Sequence, residues 1–193
     1  MIPMKKTVHF FLAFNLFLSC ENPSILETIS DKNVTISFRK DSDEKVLVLN
    51  VPLEFTLNLN SEKIKNVRIY YISNGKLSSL SEDYAVYDRA SNQKLLFDIK
   101  KVNQKYPANI YIIDRRISIQ EEKALELVNR YAPNSNLSNL QSDNDSITLT
   151  SYKKFREDNP QFITNMRKES DSLKLNLVFG KGKTKIIGKK IEW

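Results

Sequence analysis

The 193-residue sequence predicts an α+β protein, with an N-terminal antiparallel β-sandwich, then helices, then a C-terminal β-hairpin. Three observations predict it. Apolar residues recur at every second position between residues 34 and 114, at three- and four-residue spacings after 118, and at every second position again from Leu173.

In the first stretch, Val34, Ile36 and Phe38 alternate with Thr35, Ser37 and Arg39, the period of a half-buried strand. Asp41, Ser42 and Asp43 then make a turn. Residues 46–49 form an apolar run, Pro52 follows, and Leu53, Phe55, Leu57 and Leu59 alternate with Glu54, Thr56, Asn58 and Asn60. Phe55 and Leu57 are thus expected to face inward together. Proline has no N–H to give a ladder, so Pro52 marks a bulge, an edge or a break between two strands. Further strands are expected over 66–73, closed by Asn74-Gly75, a pair suited to positive backbone angles, and over 84–88, 94–101 and 109–114. About seven short strands in roughly 80 residues suit a sandwich of immunoglobulin or fibronectin type. The reading rests on count and period, since the Cys and Trp hallmarks of immunoglobulin domains are missing.

Beyond 114 the period becomes helical. Ser118 with Glu121 three residues later has the spacing of a capping box, and Ala124, Leu125, Val128 and Tyr131 form an apolar stripe. Pro133 ends it, and a loop rich in Asn and Ser runs to Ser146. Ile147 and Leu149 suggest a brief strand, and 151–157 a turn or two of helix. Pro160 suits the first position of a second helix, with Phe162, Ile163 and Met166 inward. Leu173, Leu175, Leu177 and Phe179, a turn at 180–183, and Ile186, Ile187, Ile191 and Trp193 complete the expected hairpin. No repeat of fixed period is found.

At the amino terminus, Lys5 and Lys6 precede an apolar run over 8–18, the pattern of a secretory signal peptide. That run is about a dozen residues long, where a membrane-spanning helix needs about 20. It ends in Phe17-Leu18-Ser19-Cys20, which resembles the lipobox of bacterial lipoproteins, with a small residue just before the cysteine. Phe17 and Leu18 depart from the Leu and small residue favoured there. The resemblance implies cleavage before Cys20, acylation of Cys20 (palmitate among the acyl groups), and residence in the cell envelope, on the periplasmic face of the outer membrane. It implies the division 1–19 signal peptide, 20–32 lipidated tether, 33–115 sandwich-like region and 116–193 α+β C-terminal region.

The full sequence carries 30 Lys and Arg against 23 Asp and Glu. Removal of 1–19 takes Lys5, Lys6 and His9, leaving 28 against 23, a net +5. Such an excess attracts anionic surfaces weakly, and nucleic acid is not an expected partner of an exported chain. Without histidine, and with its one cysteine acylated, the mature chain is not expected to hold a Ser-His-Asp or Cys-His site, a Cys/His zinc site or a disulfide. Carboxylate, lysine and tyrosine chemistry remains.

Several motifs fail on spacing. Gly182-Lys183-Thr184 ends like a phosphate loop, but Leu177 stands where the first glycine belongs. Asp143, Asn144, Asp145 and Ser146 resemble part of a calcium loop without its glycine and glutamate. Glu121 and Glu122 are neighbours on a helix and point apart. Tyr70, Tyr71, Tyr84, Tyr87, Tyr106 and Tyr111 suggest a sugar-binding face, but tyrosine is also common in strands. No metal or cofactor is therefore expected. The densest positive charge is the C-terminal hairpin, where Lys181, Lys183, Lys185, Lys189 and Lys190 are candidates for contact with an anionic partner. They also suit a protected sheet edge. The expected function is a non-catalytic envelope lipoprotein that binds or assembles with another envelope protein; the alternative is a glycan- or ligand-binding lipoprotein or a carboxylate-dependent hydrolase.

Overall fold

The computed structural model describes residues 22–41, 44–59, 62–80, 82–101, 105–142 and 144–193; Cys20 and the leader lie outside them. The strands are β1 (Ser24–Thr28), β2 (Asn33–Asp41), β3 (Glu44–Asn58), β4 (Ile64–Ser73), β5 (Lys76–Leu77), β6 (Tyr84–Asp88), β7 (Lys94–Leu95), β8 (Asp98–Ile99), β9 (Asn109–Ser118), β10 (Ile147–Ser151), β11 (Ser172–Phe179) and β12 (Thr184–Lys190). The helices are α1 (Glu121–Tyr131), α2 (Tyr152–Asp158) and α3 (Pro160–Met166). The α+β class and the antiparallel sheets are as expected, and the strands form two sheets. A seven-stranded sheet runs β10-β2-β3-β9-β6-β7 with β1 also on β3, and a five-stranded sheet runs β12-β11-β4-β5 with β8 also on β4.

This strand order does not confirm the immunoglobulin- or fibronectin-type sandwich expected from strand count. β10 pairs with β2, and β11 sits between β12 and β4, so both sheets draw on both halves of the chain. Count and period report which residues face inward. They carry no information about partners more than 100 residues away. The stretch 94–101 is likewise split: β7 joins the large sheet, β8 joins the small one, and Leu96 and Phe97 make the crossing.

The segment 20–32, expected as a tether, is strand from Ser24 to Thr28, paired with 58–54 of β3. Only Ile25 of β1 packs on the core, while Leu26 is 60% exposed, so the strand leaves little periodic signal.

β3 runs unbroken through Pro52, and the ladder explains how. Leu57 N donates to Ala108 O at 2.6 Å, and along an antiparallel strand alternate residues direct their N–H groups to the same neighbour. The donors of 57, 55 and 53 therefore face β9, and the missing donor of Pro52 faces the other edge. On that edge pairing with β2 ends at Asn50 and pairing with β1 begins at Glu54. No ladder bond is required at residue 52.

One core joins both sheets and the helices. Phe38, Leu53, Phe55 and Ile112 from the large sheet meet Ile69, Leu175 and Leu177 from the small one, with Leu127, Phe155 and Trp193 against them. α1 and α2 pack on β10, and α2 also on β2. Ser151 caps α2, its Oγ accepting from Lys154 N at 3.3 Å. The capping box expected at Ser118 does not form. Ser118 is the last residue of β9, paired with Val48, and Gln120 stands at the cap without a side-chain bond. The inward stripe of α1 uses Leu127 where Leu125 was expected; Leu125 is 42% exposed. Asn74 and Gly75 have the positive φ values, 47° and 80°, that their sequence suggested.

Phe55 is fully buried, whereas Thr56 is half-buried and bonded through Oγ1 to Asn109 Oδ1 at 2.8 Å. Phe55→Ala should cost about 3–5 kcal/mol as a cavity and Thr56→Ala about 1 kcal/mol, read from urea denaturation of each variant. Equal effects at 55 and 56 would contradict the burial pattern of β3.

Candidate functional site

β1 begins four residues after Cys20, a span that reaches at most about 14 Å when fully extended. Ser24 lies opposite Asn58, and a short connection leads from β3 to β4. Tyr106 Oη donates to Ile64 O at 3.3 Å, and Phe179 pairs with Ile64. The start of β1, the β3–β4 connection, the chain after β8 and the β11–β12 turn therefore share one end of the two sheets.

A cleft of about 570 Å³ lies at this end, between residues 88–90 and 105–109. Arg89 Nη2 reaches both Asp31 oxygens at 2.8 and 3.0 Å, and its Nε reaches Glu54 Oε1 at 3.3 Å. Ser30 Oγ donates to Glu54 Oε2 at 3.0 Å. Asp88 holds the turn that follows it, accepting from Ser91 N at 3.0 Å and Ala90 N at 3.3 Å. Burial pushes its carboxyl up, but bonds from Ser91 and Ala90 outweigh this and leave it below the ordinary value. The acidic groups around the cleft are thus tied to an arginine or to turn amides, while Lys105 is exposed.

The hairpin lysines do not gather in one place. Lys181 and Lys183 lie in the turn, with Lys181 at φ 60°. Lys185 and Lys189 pair with Leu177 and Leu173, which face inward, and Lys190 pairs with Ser172 on the other face. Lys189 Nζ bonds Glu192 Oε1 at 3.2 Å. Six strand residues, about 20 Å, separate 183 from 189.

The tyrosines are dispersed as well. Tyr71 and Tyr84 meet in the core with ring centroids 5.3 Å apart. Tyr87 stacks on Tyr111 at 4.9 Å, and Lys32 Nζ covers the Tyr111 ring at 4.7 Å, leaving Tyr111 8% exposed. Tyr106 lines the cleft, and Tyr70 is on the small sheet, opposite Lys174. Asp145 closes a turn through Ser142 N and Gln141 N, and those backbone bonds hold its carboxyl below the ordinary value. Asp143 lies outside the described residues, among which no group of three His, Cys, Asp or Glu is placed to hold a metal ion. Glu121 and Glu122 are both exposed in the first turn of α1.

A charged cluster that the sequence reading missed lies buried between the sheets. Arg116 Nε bonds Asp114 Oδ2 at 3.0 Å, and its Nη2 reaches Asp171 Oδ2 and Glu169 Oε2, the latter at 3.3 Å. Tyr71 Oη donates to Asp114 Oδ2 at 2.8 Å, and Asn74 N donates to Asp171 Oδ1 at 2.8 Å. Both aspartates are fully buried. Burial raises the Asp114 carboxyl above its ordinary value against the pull of Arg116. Burial, with Asp114 beside it, raises the Tyr71 hydroxyl well above its own. Burial acts to lower Arg116, but Asp114, Tyr71 and Asp171 outweigh it, so the guanidinium stays charged. The signal was present: Ile110, Ile112, Asp114 and Arg116 have one parity, so the strand that buries the isoleucines carries the charges inward.

Among the described residues no helix is long and apolar enough to cross a membrane. No protein-family model, curated protein or solved structure matches this chain.

Removing Arg116 leaves two buried carboxylates without their cation. Arg116→Leu should destabilise the fold by about 3–5 kcal/mol at neutral pH. In the variant Asp114 rises further, and a raised folded-state pKa gives stability that is present at low pH and lost as pH rises through it. The gap between wild type and variant in urea denaturation should be widest near neutrality and narrow as pH falls toward about 4. A gap independent of pH would show that the charges do not couple.

Proposed function

We propose that the chain is an envelope lipoprotein, acylated at Cys20, whose β-rich body acts without catalysis as a binding or assembly subunit for another envelope protein, on the periplasmic face of the outer membrane. The observation that carries this reading is the position of β1: the fold begins four residues past the lipobox-like cysteine, at most about 14 Å from an anchor. Catalysis by paired carboxylates finds little support in the site. Asp31, Glu54, Asp88, Asp114 and Asp171 each bond a cation or a turn amide. A sugar platform finds little either, since the stacked Tyr87–Tyr111 pair is capped by Lys32.

The test replaces the thiol that would carry the lipid. Wild type should incorporate labelled palmitate and stay with membranes through a salt wash, because several acyl chains anchor stably where one does not. Cys20→Ser should incorporate none and appear in the soluble fraction or uncleaved. Label or membrane retention in Cys20→Ser would refute acylation at this residue. Cross-linking in intact envelopes, followed by purification of the wild type, should recover a protein partner. Recovery of glycan alone would favour the ligand-binding alternative.

A further inference from the structure

We propose that the end of the sandwich where β1 begins is a contact surface for anionic lipid headgroups of the membrane that holds the anchor. The inference rests on acylation of Cys20 for its geometry, and on charge for its chemistry. Three connections, remote in sequence, bring lysines to this end. Lys63 and Lys65 stand where β3 passes into β4; Lys100, Lys101 and Lys105 follow β8; Lys181 and Lys183 form the β11–β12 turn. Each of the seven is exposed.

Most acidic neighbours are already engaged: Asp31 and Glu54 bond Arg89, and Asp88 holds its own turn. Glu62 is exposed beside Lys63, and Asp98 is engaged by Arg68 at 3.6 Å. At the opposite end Arg39 is engaged by Asp83 at 3.6 Å, and exposed Glu44 lies in the β2–β3 hairpin with Lys40 and Lys45. The collar has an aromatic member as well. Tyr106 is held by its bond to Ile64 O, and Lys101 Nζ lies 5.1 Å from its ring, an amphipathic pairing suited to a headgroup region.

Reach decides which partner meets this surface. An anchored chain cannot carry the collar far from the bilayer, since four extended residues span about 14 Å and screening at physiological salt acts over about 8 Å. The reach is less than two screening lengths, so it lets the lysines enter the field of the headgroups. A lysine near an anionic surface contributes on the order of fivefold in affinity.

The test uses the chain from residue 20 to 193, without the apolar leader. Its Cys20→Ser form is titrated with neutral phosphatidylcholine vesicles and with vesicles one-third anionic phosphatidylglycerol, across a salt series. It should bind the anionic vesicles only, and weaken as salt rises. Adding Lys100→Gln, Lys101→Gln, Lys181→Gln and Lys183→Gln should lower that affinity at least tenfold. A charge-matched control, Lys40→Gln, Lys76→Gln, Lys153→Gln and Lys168→Gln, should change it less than threefold. Unaltered urea denaturation of both sets establishes that the fold is kept. In the acylated chain on anionic vesicles, amine-reactive labelling of the collar lysines should slow several-fold relative to Lys153.

Binding that ignores the collar substitutions, or equal losses from both sets, would overturn the proposal while leaving acylation intact. Loss of acylation with collar-dependent vesicle binding retained would overturn the anchor reading alone. A collar variant that loses a cross-linked protein but binds vesicles as before would assign the surface to protein and refute the headgroup contact.

Discussion

One guanidinium holds the two sheets in register. Arg116 and Asp114 belong to β9 in the large sheet; Tyr71 belongs to β4 and Asp171 directly precedes β11 in the small one. Apolar side chains between two sheets tolerate sliding, because burial is nondirectional. Hydrogen-bonded charges do not, since a shift of an ångström leaves a carboxylate buried and unpaired. The Asp171 carbonyl also accepts from Ile191 N at 2.9 Å, and Asn74 ties the β4–β5 turn to the Asp171 carboxylate. The cluster therefore sets where β4, β9, β11 and the last residues stand relative to one another.

Much of the fold is legible in the sequence because inward-facing residues repeat with the period of their element. β6 spans 84–88 as its pattern indicates, the hairpin of β11 and β12 forms, and Pro160 opens α3. What escapes is pairing. Nothing in the alternation of Leu173, Leu175 and Leu177 shows that β11 lies beside β4, because any strand with a buried face reads the same way. β1 escapes for another reason, as an edge strand with one core residue. The capping signal at Ser118 is outcompeted by the ladder to β3, a local preference overridden by tertiary pairing.

The same limit explains the candidate site. Within the sequence the lysines of residues 181–190 look like one patch, yet strand alternation sends them to two faces and the length of β12 separates 183 from 189. The lysines of 63–65 and 100–105 look like ordinary loop charge, and topology gathers them with the turn of the last hairpin. Charge density along a chain predicts a patch only where the backbone does not alternate. The connections at one end of the two sheets provide that condition.

The first strand is tied into the fold on two sides. β1 is bonded along its length to β3, and Glu27 Oε2 accepts from Glu192 N at 2.8 Å, with burial raising the Glu27 carboxyl above its ordinary value. Arg167 Nε in turn donates to Glu192 O at 2.8 Å, beside the buried Trp193. The strand that follows the cysteine is thus tied to the large sheet by its backbone and to the chain's final residues by a side chain.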